Sequence, residues 1–263
     1  MNGVLAGAVL KQAGDAACVL EFGSRIEPAV LDKVSALQQA VQQLQRAGRL
    51  PGLTESVPTF RSLALLFDPL STTPEQLIAT IGDHVVDTDV AAEDAPRAWS
   101  LPVHYGAGHA PDLDDVARAT GLSPQEVVEK HLARPLVVYM LGFLPGFGFL
   151  GDIDPVLQLP RRTSPRLRVP AGSVAIANSL SAVYPWKSPG GWHLLGHCPI
   201  PLFKVPTADL PGSDDDSPAL LRAADRVRFV SIDAGEHAAL VRDNENGRLD
   251  PTPFHDDAST SPR

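Results

Sequence analysis

Cysteine is scarce here: Cys18 and Cys198 are the only two among 263 residues. Two thiols cannot build the framework of bridges that staples small secreted domains, so the chain reads as one from a reducing compartment. No apolar run approaches the roughly 20 residues that span a bilayer. The apolar stretch in "MNGVLAGAVLKQAG" has no basic residue before it, and Lys11 follows it, the reverse of a secretory leader. The expectation is a soluble, cytoplasmic protein. A basic stripe is missing too: 22 Lys and Arg against 31 Asp and Glu give a formal net charge of −9. Such a chain is a poor candidate for nucleic acid. There is no G-x-x-x-x-G-K-[ST] phosphate loop, and no G-x-S-x-G elbow around Ser173 or Ser188.

Proline, by contrast, is abundant, 25 residues of 263, about twice the usual share of roughly 5%. This favours short strands and irregular loops. "AACVLEF" (16–22) and "SLALLFD" (62–68) read as strands. Val30, Val34, Leu37, Val41 and Leu44 recur at helical spacing, with Gly48 as a stop. A second helix over 73–85 has Thr73 as cap and Pro74 at its first position. With a strand near "AWSLPVHY" (98–105), this order fits a ferredoxin-like α+β unit. The acidic stretch 86–97 is the linker candidate. Two short helices follow, "PDLDDVARAT" and "SPQEVVEKHLA", the latter opened by a capping box of Ser123, Pro124 and Glu126. Beyond 136, strand-like runs ("LVVYMLG", "SVAIAN", "HLLG", "RVRFVSI") alternate with Pro/Gly clusters, the pattern of a β-barrel or sandwich. Residues 206–218 form a polar excursion, and the last twenty or so residues read as disordered.

"GFGFLG" (146–151) has the G-x-G-x-x-G spacing of a dinucleotide turn. Such a turn must open a helix, and "DIDPVLQLP", with Pro155 and Pro160, cannot supply one. The wider run "GFLPGFGFLG" is instead a core plug or the apolar wall of a pocket. Two histidine spacings stand out, His193/His197 and His104/His109. Neither has an obvious third ligand, so no metal site is assigned. Cys18 reads as a buried strand residue. Arg161, Arg162, Arg166 and Arg168 cluster in "RRTSPRLRVPAGS". Arg166 and Arg168 would share one face of a strand, either to grip a carboxylate or phosphate or as a charged strand edge. "SPGGW" (188–192) is a tight turn, with or without an anion nest of N–H groups.

The run "YMLGFLPGFGFLGDIDPVLQLPRRTSPRLRVPAGSVAIANSLSAVYPWKSPGGWHLLG" resembles the family of 5-oxoprolinase B subunits, also labelled allophanate hydrolase subunit 1 and including an inhibitor of a sporulation kinase. The family pattern is roughly GFxPGFxYLxxLDPxLxxPR…PRxxVPAGSVxIAGxxTGIYPxxSPGGWxxxG. With "GDxAxxxEFG" met by Gly14 to Gly23, the match covers about residues 14 to 232. The resemblance implies an N-terminal α+β domain and a C-terminal cyclophilin-like β-barrel; with the ferredoxin-like element order and the disordered end read above, the bounds are set at 1–90, 91–240 and, for the disordered tail, 241–263. It implies a partner, the homologous C subunit, a third, lamB-like subunit, and ATP-dependent opening of 5-oxo-L-proline to L-glutamate. ATP would be used by the complex and not by a motif in this chain. In related fused proteins the same pair forms the carboxyltransferase part of urea carboxylase, which works with biotin. Asn178, Ser179, Leu180 and Ala182 depart from "IAGGQTGIYP", Gly108 stands where a glutamate is usual, and Phe149 replaces a tyrosine. These changes bear on the substrate rather than the fold. Allophanate cleavage proper belongs to Ser–Ser–Lys amidases, whose signature is missing, so the lactam reading is preferred. Alternatives are a kinase-inhibiting binding protein and a carboxyltransferase half. The expected substrate-binding residues are Arg166, Arg168, Phe143, Phe147, Asn178, Tyr184, Ser188, Gly190, Gly191 and Trp192, with no catalytic residue assigned.

Overall fold

In "ACVLE" every second side chain, Cys18 and Leu20, points inward, and the segment forms strand β2 (Ala17–Glu21). The same alternation buries Leu63, Leu65 and Phe67 from β4 (Ser62–Phe67). This computed structural model describes residues 5–87, 96–205 and 217–256, and the chain divides into two units, 1–95 and 96–263. In the first unit β1 (Val9–Gln12), β2, β4 and β3 (Leu53–Pro58) make one antiparallel sheet in the order β1-β2-β4-β3. Helix α1 (Pro28–Arg46) buries Leu31, Val34, Leu37, Ala40, Val41 and Leu44. This is the anticipated stripe, with Leu31 buried in place of Val30. Gly48 ends it in left-handed backbone (φ 66°), and the Arg49 N–H reaches back to Leu44 O at 2.9 Å. Helix α2 (Pro74–Asp87) starts with a reciprocal cap: Gln76 N–H donates to Thr73 Oγ1 at 3.4 Å and Thr73 N–H to Gln76 Oε1 at 3.0 Å. Leu37, Val41, Cys18, Leu63, Leu77 and Ile81 belong to the unit's own core.

The strand expected to complete a ferredoxin-like unit does not do so. It forms β5 (Ala98–Val103), which pairs in parallel with β13 (Arg226–Ser231) of the second unit. Trp99, Leu101, Pro102 and Val103 are all buried, and a strand so continuously apolar needs both faces covered. The first sheet takes its remaining strand from the N-terminal apolar run, as β1. The proposed linker, 86–97, begins inside α2, and its residues 88–95 lie outside the described residues.

The second unit continues with α3 (Leu113–Thr120), α4 (Pro124–Leu132), β6 (Leu136–Leu141), β7 (Gly148–Gly151), β8 (Arg166–Val169), β9 (Ser173–Ala177), β10 (Leu180–Val183), β11 (Ser188–Gly190) and β12 (His193–His197). After β13 come α5 (Ala234–Glu245) and β14 (His255–Asp256). Eight strands form a mixed sheet in the order β12-β9-β10-β7-β6-β13-β5-β14. Just past β5, His104 and His197 exchange two backbone hydrogen bonds of 2.9 and 3.0 Å, which nearly closes the sheet into a barrel. Its interior holds Leu101, Val103, Val138, Leu150, Val174, Ile176, Leu195 and Phe229. β8 and β11 pair separately. The capping box of α4 is present, with Glu126 N–H to Ser123 Oγ at 3.2 Å and Ser123 N–H to Glu126 Oε2 at 2.7 Å.

Residues 241–256 are not the disordered tail anticipated. They hold the end of α5, a 3₁₀ turn (Thr252–Phe254) and β14, whose His255 ring meets Trp99 edge-on at 5.0 Å. A capping box starts α5: Asp233 Oδ1 accepts from Gly235 and Glu236 N–H, each at 2.8 Å. Residues 257–263, and 206–216 of the polar excursion, lie outside the described residues. Among the described residues no helix is long and apolar enough to cross a membrane.

Candidate functional site

Asp112 stands at the N-cap of α3 yet makes no capping bond. Its carboxylate turns inward, leaving the residue 1% exposed. There Oδ1 accepts from Arg162 at 2.6 Å and from Arg166 at 2.7 Å, and Oδ2 accepts the Leu194 N–H at 2.7 Å. The Asp112 N–H donates in turn to Leu194 O at 3.2 Å. Two guanidiniums therefore share one carboxylate, which leaves the three side chains with a surplus positive charge. Both arginine side chains keep about a quarter of their surface in water, 28% and 24%. Arg162 Nε and Arg166 Nη1 are buried atoms without a hydrogen-bond partner. So are Ser188 Oγ and His193 Nδ1. Ser188 lies on β11, the pairing partner of β8, and Arg162 N–H bonds Gly191 O at 2.8 Å. Three of these, Arg162 Nε, Arg166 Nη1 and Ser188 Oγ, are donors, which suits the binding of an anion.

Arg166 and Arg168 do not share a face as anticipated. Three residues of β11 (Ser188 to Gly190) oppose four of β8 (Val169 to Arg166), a bulge that breaks the alternation. Arg168 is exposed, and the companion of Arg166 is Arg162, from before the strand. Arg161 lies outside the ion cluster, with its Cζ 5.9 Å from the centre of the Trp192 ring.

The aromatic residues divide. Phe147, Tyr184 and Trp192 are buried with Val169, Ala175 and Leu194, so they brace the site from within and form no open cleft wall. Phe147 meets Tyr184 edge-on at 5.2 Å and Trp192 at 6.0 Å. Tyr184 accepts the Trp192 main-chain N–H, and burial raises its phenol pKa. Gly190 answers to Tyr184 as well: a Cβ there would meet the Tyr184 ring at 2.9 Å. Phe143 is the exception, 65% exposed on left-handed backbone (φ 70°). "GFGFLG" is the turn into β7 and the strand itself, antiparallel to β6 and followed by a 3₁₀ turn. Gly146 (φ 78°) is held to glycine, because a Cβ would lie 2.7 Å from Leu202 O. Asn178 is exposed and takes the left-handed corner between β9 and β10 (φ 51°).

The histidine spacings resolve differently. His193 Nε2 donates to Pro160 O at 2.9 Å, away from His197. His197 instead meets His109 and His237, the latter 40 residues on in α5, a distance no spacing rule connects. Asp112 was equally silent, since nothing in "PDL" marks a buried carboxylate. Burial, joined by the neighbouring imidazoles, pushes His197 down to about 4 and lowers His109 and His237. Cys198, fully buried, has its thiol pushed up to about 12.

The family model described as "Carboxyltransferase domain, subdomain C and D" matches residues 8–211. A Bacillus subtilis 5-oxoprolinase B subunit is 35% identical over 245 residues, 89% of this chain and 97% of that protein. One from Escherichia coli O157:H7 is 38% identical over 221 residues, 82% and 93% respectively. The solved structure of TTHA0988 superimposes with a TM-score of 0.67 at 33% identity, over 83% of this chain but only 40% of its own. Kluyveromyces lactis urea carboxylase shares the fold at 20% identity, with a TM-score of 0.70 over 92% of this chain and 23% of its own. The chain thus belongs to the carboxyltransferase-domain family, among its 5-oxoprolinase B-subunit members.

Proposed function

We propose that the chain is the B subunit of an ATP-dependent 5-oxoprolinase, acting with a homologous C subunit and a third, lamB-like subunit to open 5-oxo-L-proline to L-glutamate. What carries the reading is the 35% and 38% identity, over most of the chain, to two proteins of that name. The site chemistry fits. The surplus charge of the Arg162–Asp112–Arg166 cluster suits the carboxylate of a small acid, with Ser188 Oγ as a further donor. We read the near-closed sheet as a cyclophilin-like barrel. The Gly-rich stretch is a strand and turn and opens no helix on its glycines, so we assign ATP to another member of the complex. Phe143, 65% exposed, supports the idea of a partner surface: the loop that carries it is tied by Gly142 N–H to Phe147 O at 3.0 Å and by Trp186 Nε1–H to Pro145 O at 2.9 Å.

The test is reconstitution with both partners and an assay of ATP-dependent glutamate release. The complex is expected to turn over and the chain alone to be inactive. Arg166→Ala should raise KM roughly ten- to a hundredfold, the worth of one charge-assisted hydrogen bond, and Arg168→Ala should change little. A second reading, a carboxyltransferase half, draws on the matching family model. A complex inert towards 5-oxoproline that instead takes a carboxyl group from biotin would establish that reading and overturn the first.

A further inference from the structure

Four imidazoles gather where the sheet nearly closes. His104 follows β5, His109 lies on the loop before α3, His197 ends β12 and His237 sits in the first turns of α5. Ring centres are 4.7 Å apart for His109 and His237, 4.9 Å for His197 and His237, and 5.0 Å for His109 and His197. Such convergence from three separate elements has no packing rationale of its own, because apolar rings would fill the space without buried polar atoms.

We propose that His109, His197 and His237 form a binding site for a divalent late first-row transition metal, zinc(II) foremost, with a fourth position open to solvent. One ring nitrogen from each lies within 4.8 Å of the other two. A zinc ion holds imidazole nitrogens at about 2.0–2.1 Å, which sets them about 3.3 Å apart in a tetrahedral shell. Closing the triangle needs only small rotations of side chains. Three nitrogens and no carboxylate suit zinc, copper or nickel over magnesium or calcium.

The surrounding hydrogen bonds already orient the ligands. His197 Nε2–H donates to Ala171 O at 3.1 Å, which leaves the lone pair on Nδ1. That Nδ1 lies 2.8 Å from His237 Nε2, which donates to it in the metal-free protein. On metal binding the His237 hydrogen moves from Nε2 to Nδ1, and the freed Nε2 lone pair takes the ion. No proton is released and no charge other than that of the metal is added. His104 stays outside the set. Its Nδ1–H donates to Ile232 O at 3.3 Å, and its ring packs against His109 at 5.6 Å and His237 at 5.3 Å, walling the site. Asp233 and Glu236, on the same turn of α5 as His237, offset the positive end of that helix. His109 and His197 are partly exposed, which gives the ion a way in.

The experiment titrates chelator-treated full-length protein with zinc(II), and with cobalt(II) as a coloured stand-in. Expected are one equivalent per chain, visible d–d bands of a four-coordinate cobalt centre, and a thermal midpoint raised by zinc and restored by chelator. His109→Gln and His237→Gln should each weaken zinc binding by more than about a hundredfold, since even the partners of metal ligands are worth about 10- to 100-fold. His84→Gln, on α2 in the first unit, should leave it unchanged. If His237→Gln fails to fold, His109→Gln on its half-buried loop still decides the matter. Non-saturable binding, undiminished affinity in His109→Gln, or an equal loss in His84→Gln overturns the proposal.

Discussion

Asp112 neutralises two arginines with one charge and takes a main-chain amide besides, so its removal should be felt in stability before it is felt in chemistry. Asp112→Asn keeps the shape but leaves Arg162 and Arg166 facing each other without a counter-ion. Breaking a buried pair costs about 3–5 kcal/mol, and the partly hydrated guanidiniums put this case at about 3. Urea denaturation should show that loss. Arg168→Ala should lie within about 0.5 kcal/mol of wild type, as for an exposed side chain away from any network. Gly146→Ala is the opposite case, a small change in a place without room: left-handed backbone and the nearby Leu202 carbonyl make it destabilising by more than the strain of about 1–2 kcal/mol alone.

Four segments are tied by a hydrogen-bonded relay inside the barrel unit. Tyr105 Oη–H, just past β5, donates to His131 Nδ1 of α4 at 2.8 Å. His131 Nε2–H donates to Ser181 Oγ of β10 at 2.9 Å, and Ser181 passes its hydrogen to Ala175 O of β9 at 3.1 Å. Complete burial pushes His131 down to about 4 from an ordinary 6.5. A depressed histidine contributes stability that is whole above its unfolded value and lost as pH falls. Unfolding free energy should therefore decline between pH 6.5 and pH 4, by an amount on the order of 3 kcal/mol for this group. His131→Leu should flatten that decline while weakening the fold at pH 7, where Tyr105 and Ser181 lose their partner. Elements of this kind were largely legible in the sequence. Short apolar runs found β2 and β4, the Leu37–Leu44 stripe found α1, and Ser123 with Glu126 found the start of α4. Sheet membership was not legible: "AWSLPV" carries no mark saying which sheet will cover both its faces. Nor was the aim of the arginines, because the bulge in β8 arises from pairing with β11 and not from the spacing of Arg166 and Arg168. Long-range convergence, Asp112 on Arg162 or His237 on His197, leaves no local trace.

At the scale of the molecule, each unit encloses its own hydrophobic core, one around Leu37 and Leu63, the other around Leu101 and Ile176. Residues 96–263 expressed alone should therefore keep a cooperative thermal transition and a native-like near-ultraviolet spectrum; a broad, non-cooperative melt would contradict this. The placement of Asp112 has one more consequence, for solubility. β12 ends the sheet order, and a strand so placed offers bare N–H and C=O groups on which another chain can template itself. Here Asp112 imitates a neighbouring strand, its N–H on Leu194 O and its carboxylate on Leu194 N–H, while His104 closes the far end at His197. Two residues thus insulate the strand against intermolecular pairing. Asp112→Ala strips half of that insulation, and at high protein concentration its solutions should scatter light and bind amyloid dyes long before those of Arg168→Ala do.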